Sequence, residues 1–238
     1  MKRGIRIVCG ADGCRGGWIR VIKDLDTGAI SWRLCAMAHE LASAEPVPDL
    51  IGVDIPMGLP ERGPRLCDLE ARRLLGRGRG SSIFPAPIRP ILTAASYEEA
   101  CRIRVGIEGK RLSRQSWGII PKIREMDELL RRDPILRERV REVHPEVSFF
   151  FMAGQRALRY GKKTPMGREE RCRLLEPHFG PWPATALREP IGPGIGADDI
   201  LDAFAALWTA ERMARGTAEM LPPTPPRDRF GLPMEIIA

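Results

Sequence analysis

Residues 5–18, IRIVCGADGCRGGW, carry a short apolar run into an acid and then into a turn rich in glycine. The run from Ile5 to Ala11 reads as a central strand covered on both faces. Asp12 stands at its carboxyl end, where a buried carboxylate is costly unless a cation meets it, and a metal ion is one such partner. Gly10, Gly13, Gly16 and Gly17 leave room around it for close approach by backbone or ligand. An Asp that only caps an Asp-Gly turn would look the same locally, so the remaining chain must supply its partners.

Working outward, residues 17–23 make a second strand and 24–28 a turn. Ile30, Trp32 and Leu34 then alternate with Ser31, Arg33 and Cys35, the period of a half-buried strand. Three antiparallel strands therefore open the chain. A short helical piece at about 38–44 ends before Pro46, and residues 50–55, LIGVDI, form a fourth strand with Asp54 at its carboxyl end. Parallel neighbours in an open α/β sheet present their carboxyl ends to one crevice, so Asp12 and Asp54 face each other if strands one and four are adjacent.

Residues 61–138 form a helical insertion, with helical patterns at about 65–75, 97–107 and 122–132. Within it RGRGSSIFPAPIRP (77–90) is basic and loop-like, and Arg77, Arg79, Ser81 and Ser82 suit either phosphate binding or an ordinary solvated loop. The best candidate for a fifth strand is 140–151, VREVHPEVSFFF, interrupted at His144 and Pro145, and Glu146 follows that break. Lys162 and Lys163 sit in a polar loop before a helix at about 166–176. The last helix spans about 198–215, with Asp198 suited to its N-cap and Gly216 to its stop. Ile200, Leu201, Phe204, Leu207 and Trp208 form one apolar stripe. Asp199, Asp202, Ala203, Ala206 and Ala210 form another, whose small alanines allow close packing and place both acids over a sheet edge. The terminal MEIIA reads as an added edge strand.

The totals set bounds on function. At 238 residues and 43% hydrophobic content the chain can bury a full core, and one elaborated domain over 1–238 is expected. A formal charge of +7 favours an acidic partner such as nucleic acid, a nucleotide or a membrane surface. The six cysteines lie without a CxxC pair or a nearby His, so they read as reduced core residues and not as zinc ligands or disulfides. No charged-then-apolar leader and no membrane-length apolar run is present, and a soluble cytoplasmic protein is expected.

Together these elements give an α/β fold: a ribonuclease H-like mixed five-stranded sheet, three antiparallel strands followed by parallel ones, flanked by helices. Asp12, Asp54, Asp199 and Asp202 are the candidate metal ligands. Carboxylates converging from separate elements suit hard ions, Mg2+ or Mn2+, in the two-metal cleavage of phosphodiesters. Glu146 is a weaker member of the set, because an acid beside His-Pro often only satisfies a turn.

The motifs GADGCRGGW (10–18), GVDIPMGLP (52–60), SSIFPAP (81–87), QSWGIIPKIREMD (115–127), HPEVSF (144–149) and DDILDA (198–203) together resemble the domain of unknown function 429 family, described as predicted nucleases with a ribonuclease H-like fold. The resemblance implies that Asp12 and Asp54 are the first and second acids, with Asp199 and Asp202 on the last helix. It also raises Glu146 to a ligand or neighbour of the site, and makes Lys122 and Lys163 contacts for substrate phosphate, a role for which Arg79 is a further candidate. The function expected is a metal-dependent nuclease acting on DNA or RNA, as a monomer or homo-oligomer. Two other functions compete: a non-catalytic nucleic-acid-binding module, and an ATP-dependent phosphotransferase of the actin and sugar-kinase type. The second needs two copies of the fold, and GVDIPMG only faintly echoes GADGCRGG.

Overall fold

The computed structural model describes residues 4–189 and 191–238. In chain order the elements are β1 (Ile7–Cys14), β2 (Gly17–Asp24), β3 (Ile30–Cys35), α1 (Glu40–Ser43), β4 (Leu50–Asp54), α2 (Leu66–Arg79), α3 (Tyr97–Glu108), α4 (Arg114–Arg132), α5 (Pro134–Arg139), β5 (Val140–Glu142), α6 (Pro145–Met152), α7 (Pro165–Phe179), α8 (Trp182–Ala186), α9 (Ala197–Ala214), β6 (Met220–Leu221) and β7 (Ile236–Ile237). The main sheet has five strands in the order β3-β2-β1-β4-β5. The β1–β2 and β2–β3 pairs are antiparallel, and β4 and β5 continue parallel to β1. This is the expected ribonuclease H-like sheet.

Alternation sorts the strand residues onto two faces. Cys9, Ala11, Ile51 and Val53 join a core that includes Ile123, Met126 and Leu130 of α4 and Leu136 of α5. Val8 and Leu50 enter the opposite core, with Phe149 of α6, Leu175 of α7, Ala186 of α8 and Leu201, Phe204 and Leu207 of α9. Gly10 and Gly52 lie on that second face, and α9 comes down directly on them. A Cβ at Gly10 would stand 2.0 Å from Leu207 N and 2.2 Å from Ala203 O, and one at Gly52 would stand 2.9 Å from Ala206 O. Bare glycine on the strands against alanine on the helix brings the two backbones together, as the alanine stripe of α9 leads one to expect.

The region expected as one interrupted strand at 140–151 is corrected. β5 stops at Glu142, and residues from Pro145 onward form α6. His144 caps that helix, its Nδ1 accepting the Glu146 N–H at 3.2 Å, and Pro145 occupies the first helical turn, where its missing N–H costs nothing. Apolar content alone did not separate strand from helix in VSFFF; the His-Pro start decides it. Asp198 is likewise not the cap of α9: the helix begins one residue earlier, behind Gly196. Nor is 77–90 wholly a loop, since α2 extends to Arg79 across a break at Gly76, φ 62°. At the other edge of the sheet β7 pairs with β6, and Ile237 bridges Val143 beyond β5, so MEIIA does add to the sheet edge.

Buried charge fastens the insertion to the sheet. Arg65, just before α2, holds Glu142 of β5 through two hydrogen bonds of 2.6 and 2.7 Å and Asp68 through two of 2.6 and 3.3 Å. Arg89 grips Asp127 of α4 and Asp228 of the C-terminal segment. Arg20, on β2, is fully buried and donates to the carbonyls of Ala44 and Pro46, steadying the entry to β4. No helix among the described residues is long and apolar enough to cross a membrane.

Candidate metal centre

Asp12 and Asp54 are direct partners in the parallel β1–β4 register, each the last acid of its strand. Both share a face with Gly10 and Gly52, so their side chains rise on the side covered by α9. Because the glycines let α9 sit low, Asp202, in the second turn of that helix, arrives over the same two strand ends. One oxygen from each of Asp12, Asp54 and Asp202 lies within 4.8 Å of the others. Asp12 is 6% exposed and Asp202 2%, whereas Asp54 is half-buried and forms the open side.

Charge is poorly balanced there. Among the described residues, none donates a hydrogen bond to the carboxylate of Asp12 or Asp54. The nearest cation is Lys162, whose Nζ donates to Asp202 Oδ2 at 2.5 Å and lies 3.8 Å from Asp198 Oδ2. Burial, with repulsion from Asp54 and Asp202, pushes the Asp12 pKa well above the carboxylate range. Burial also raises Asp54 to about 6, against the attraction of Lys162 and with repulsion from Asp199. Asp202 rises to about 6 for the same first reason, opposed by Lys162 and assisted by Asp54. For Lys162 burial opposes the charge, yet Asp202, Asp12 and Asp54 together hold its pKa above the ordinary lysine value. An oxygen-only set of three acids with an unpartnered buried member fits a hard divalent cation.

The other candidates fall in different places. Asp199 points back along α9, its Oδ2 accepting the Gly196 N–H at 2.8 Å, which caps the helix; it stands outside the converging set. Glu146 lies between two arginines, accepting from Arg171 Nη2 at 2.7 Å and facing Arg79 Nε at 3.4 Å. Arg79 also donates to Leu158 O at 2.9 Å. Lys122 lies over the Trp18 ring and donates to Gly17 O at 2.5 Å, which fixes the β1–β2 turn beside the acids. Lys163 is exposed, and its neighbour Lys162 reaches the acids instead.

Sequence reasoning missed Lys162 as the facing cation and Arg171 as the buried partner of Glu146. Two adjacent lysines in a polar loop give no local signal for which one turns inward. Arg171, completely buried, was hidden in a helix rich in arginine. Its Nη1 donates to Tyr160 O and Gly167 O, tying the start of α7 to the loop that carries Lys162.

No curated protein and no solved structure matches the chain. A family model, described as protein of unknown function (DUF429), matches residues 10–227 and takes in every motif from GADGCRGGW to DDILDA. On the extent of that match, the chain belongs to the DUF429 family.

Proposed function

We propose that this protein is a metal-dependent phosphodiesterase that cleaves nucleic acid, with Mg2+ or Mn2+ as its cofactor. The observation that carries this reading is the convergence of Asp12, Asp54 and Asp202 at the carboxyl end of a parallel strand pair, with Asp12 buried and unpartnered among the described residues. Asp12 and Asp54, on paired strands, and Asp202, on a helix locked to both, would hold the ion with little freedom to rearrange. A divalent ion bound there supplies Lewis acidity at the scissile phosphate and lowers the pKa of a water molecule. Three carboxylates are a set sized for one ion; a two-ion arrangement requires Asp199 or the substrate to add oxygens. Half-buried Asp54 leaves the approach for phosphate on its side. The excess of basic residues, 38 Lys and Arg against 31 Asp and Glu, favours a polyanionic substrate.

The test is cleavage of end-labelled single- and double-stranded DNA and RNA with Mn2+, Mg2+ or chelator. Wild type is expected to cut at least one of these only with a divalent ion, and Asp12→Asn to lose roughly 10²-fold or more of that rate. Retention of ion-dependent cleavage by folded Asp12→Asn would overturn the mechanism. Tight binding of nucleic acid without cleavage under any ion would instead make the protein a binding module.

A further inference from the structure

The carboxylate cluster already has a cation of its own, and the way that cation is mounted is informative. Lys162 projects from the segment between α6 and α7, and that segment is firmly held near the lysine. Gly161 O accepts the Thr164 N–H at 3.0 Å and the Thr164 hydroxyl at 2.8 Å, while Arg171 holds Tyr160 O at 3.2 Å. Gly167 packs so closely that a Cβ there would stand 2.0 Å from Gly161 O. The backbone of Lys162 is thus fixed at a set distance from Asp202. Its side chain is different: it remains 39% exposed, and its ammonium contacts Asp202 and Asp198 on the end of a flexible four-carbon stem. Such a head can leave for solvent by bond rotations alone, with no movement of the loop.

One ammonium carries a single charge against three carboxylates, and it hydrogen-bonds only Asp202 of the three, leaving Asp12 and Asp54 without a donor among the described residues. A divalent ion brings twice the charge and can be reached by oxygens from all three acids. The two cations compete for Asp202.

We propose that Lys162 is the resident counter-cation of this cluster, exchanged for a divalent ion when the centre loads. The ammonium keeps the metal-free carboxylates from repelling one another, and divalent affinity is set partly by the need to displace it. Lys162 is on this account a positioning residue for the metal-free state and a competitor of the metal. The inference rests on the reading of Asp12, Asp54 and Asp202 as metal ligands.

Calorimetric titration with MnCl2 alone tests it on the full chain. Lys162→Met is expected to bind Mn2+ roughly tenfold or more tightly than wild type, because the competing charge is gone. Lys162→Arg, which keeps the charge, should lie between the two. If wild type binds Mn2+ and folded Lys162→Met binds it no more tightly, the exchange is wrong while the metal reading stands. If neither protein takes up Mn2+, both fall. Should Lys162→Met fail to fold, the wild type supplies the answer through the NMR signal of its Lys162 ε-carbon, assigned with Lys162→Arg. Saturating Mg2+ is expected to move that signal toward the position of a free lysine. A signal unmoved by Mg2+, at a concentration that calorimetry shows to be saturating, overturns the exchange.

Discussion

Asp12, Asp54 and Asp202 are acids held where acids are unstable without a cation, and this gives the site a definite pH behaviour. Asp54 and Asp202 titrate near 6 in the fold, against an ordinary value of 3.8. Because the folded-state pKa values are raised, the metal-free fold holds protons that the unfolded chain has released. Its stability from these groups is present below about 4 and is lost as pH rises to about 6. Metal ligation needs the same oxygens deprotonated, so divalent binding should strengthen through this window and flatten above it. Thermal melts with and without Mn2+ are therefore expected to show a small stabilisation at pH 5 and a full one at pH 7.5. Metal-free Asp54→Asn should melt above wild type at pH 8 and lose that advantage at pH 5. Equal stabilisation by Mn2+ at both pH values would count against these residues as ligands. Glu146 illustrates the reverse case at the same scale. It reads as a site acid in HPEVSF, yet Arg171 and Arg79 already neutralise it.

At the scale of elements, the site depends on how low α9 sits on β1 and β4. The helix contributes Asp202 from its second turn, and the glycines beneath its next turns set the height. Gly10→Ala places a methyl carbon inside contact distance of Leu207 N and Ala203 O, both backbone atoms that cannot rotate aside. Overpacking of this kind typically costs 1–3 kcal/mol, occasionally more, and here about 3 kcal/mol or above is expected from urea denaturation. A helix lifted from the strands also carries Asp202 away, so Mn2+ affinity should fall with stability although Gly10 touches no ligand. Unchanged Mn2+ binding in a destabilised Gly10→Ala would show that helix height does not set the site. The strand–helix assignments follow the same local logic. Alternation in ISWRLC gives β3 (Ile30–Cys35), and the clear end signals of α9 give its length to within one residue. VSFFF reads as strand by its apolar content but is helical, because an unbroken apolar run fits a buried strand or a buried helix equally and only its His-Pro start distinguishes them.

Across the whole molecule, the insertion is joined to the sheet by buried ion pairs as well as by apolar packing. Arg65, Asp68 and Glu142 are all nearly inaccessible, and Arg65 also donates to Met57 O at 2.8 Å, linking the exit from β4, the start of α2 and β5. Arg65→Met leaves two acids buried without a cation and should destabilise by about 3–5 kcal/mol in urea denaturation. Arg65→Met combined with Glu142→Leu should recover part of that loss, since the most costly orphaned charge is then removed. Failure of the second change to recover any stability would mean that Glu142 matters through its hydrogen bond to Met57 N and not through its charge. Six cysteines are distributed through the same interior: Cys9, Cys14, Cys35, Cys67 and Cys101 are buried and Cys172 partly so, as small apolar residues would be.

The chain by itself determined the first four strands and the two strand acids, and the fold supplied the β1–β4 adjacency. Hydrophobic period and turn residues are local signals, and a parallel β1–β4 pair places Asp12 beside Asp54 once both end their strands. It also marked α9 as an acidic, alanine-lined helix. Tertiary structure decided which of the acids converge. Asp199 and Asp202 differ by three positions on one helix, but the start of α9 behind Gly196 turns Asp199 to the backbone cap, while the seat on Gly10 and Gly52 brings Asp202 to the strand ends. Lys162 was likewise settled only by the fold, because the direction of its side chain depends on Arg171 and Gly167 holding a loop that is far from Asp12 in sequence and adjacent to it in space.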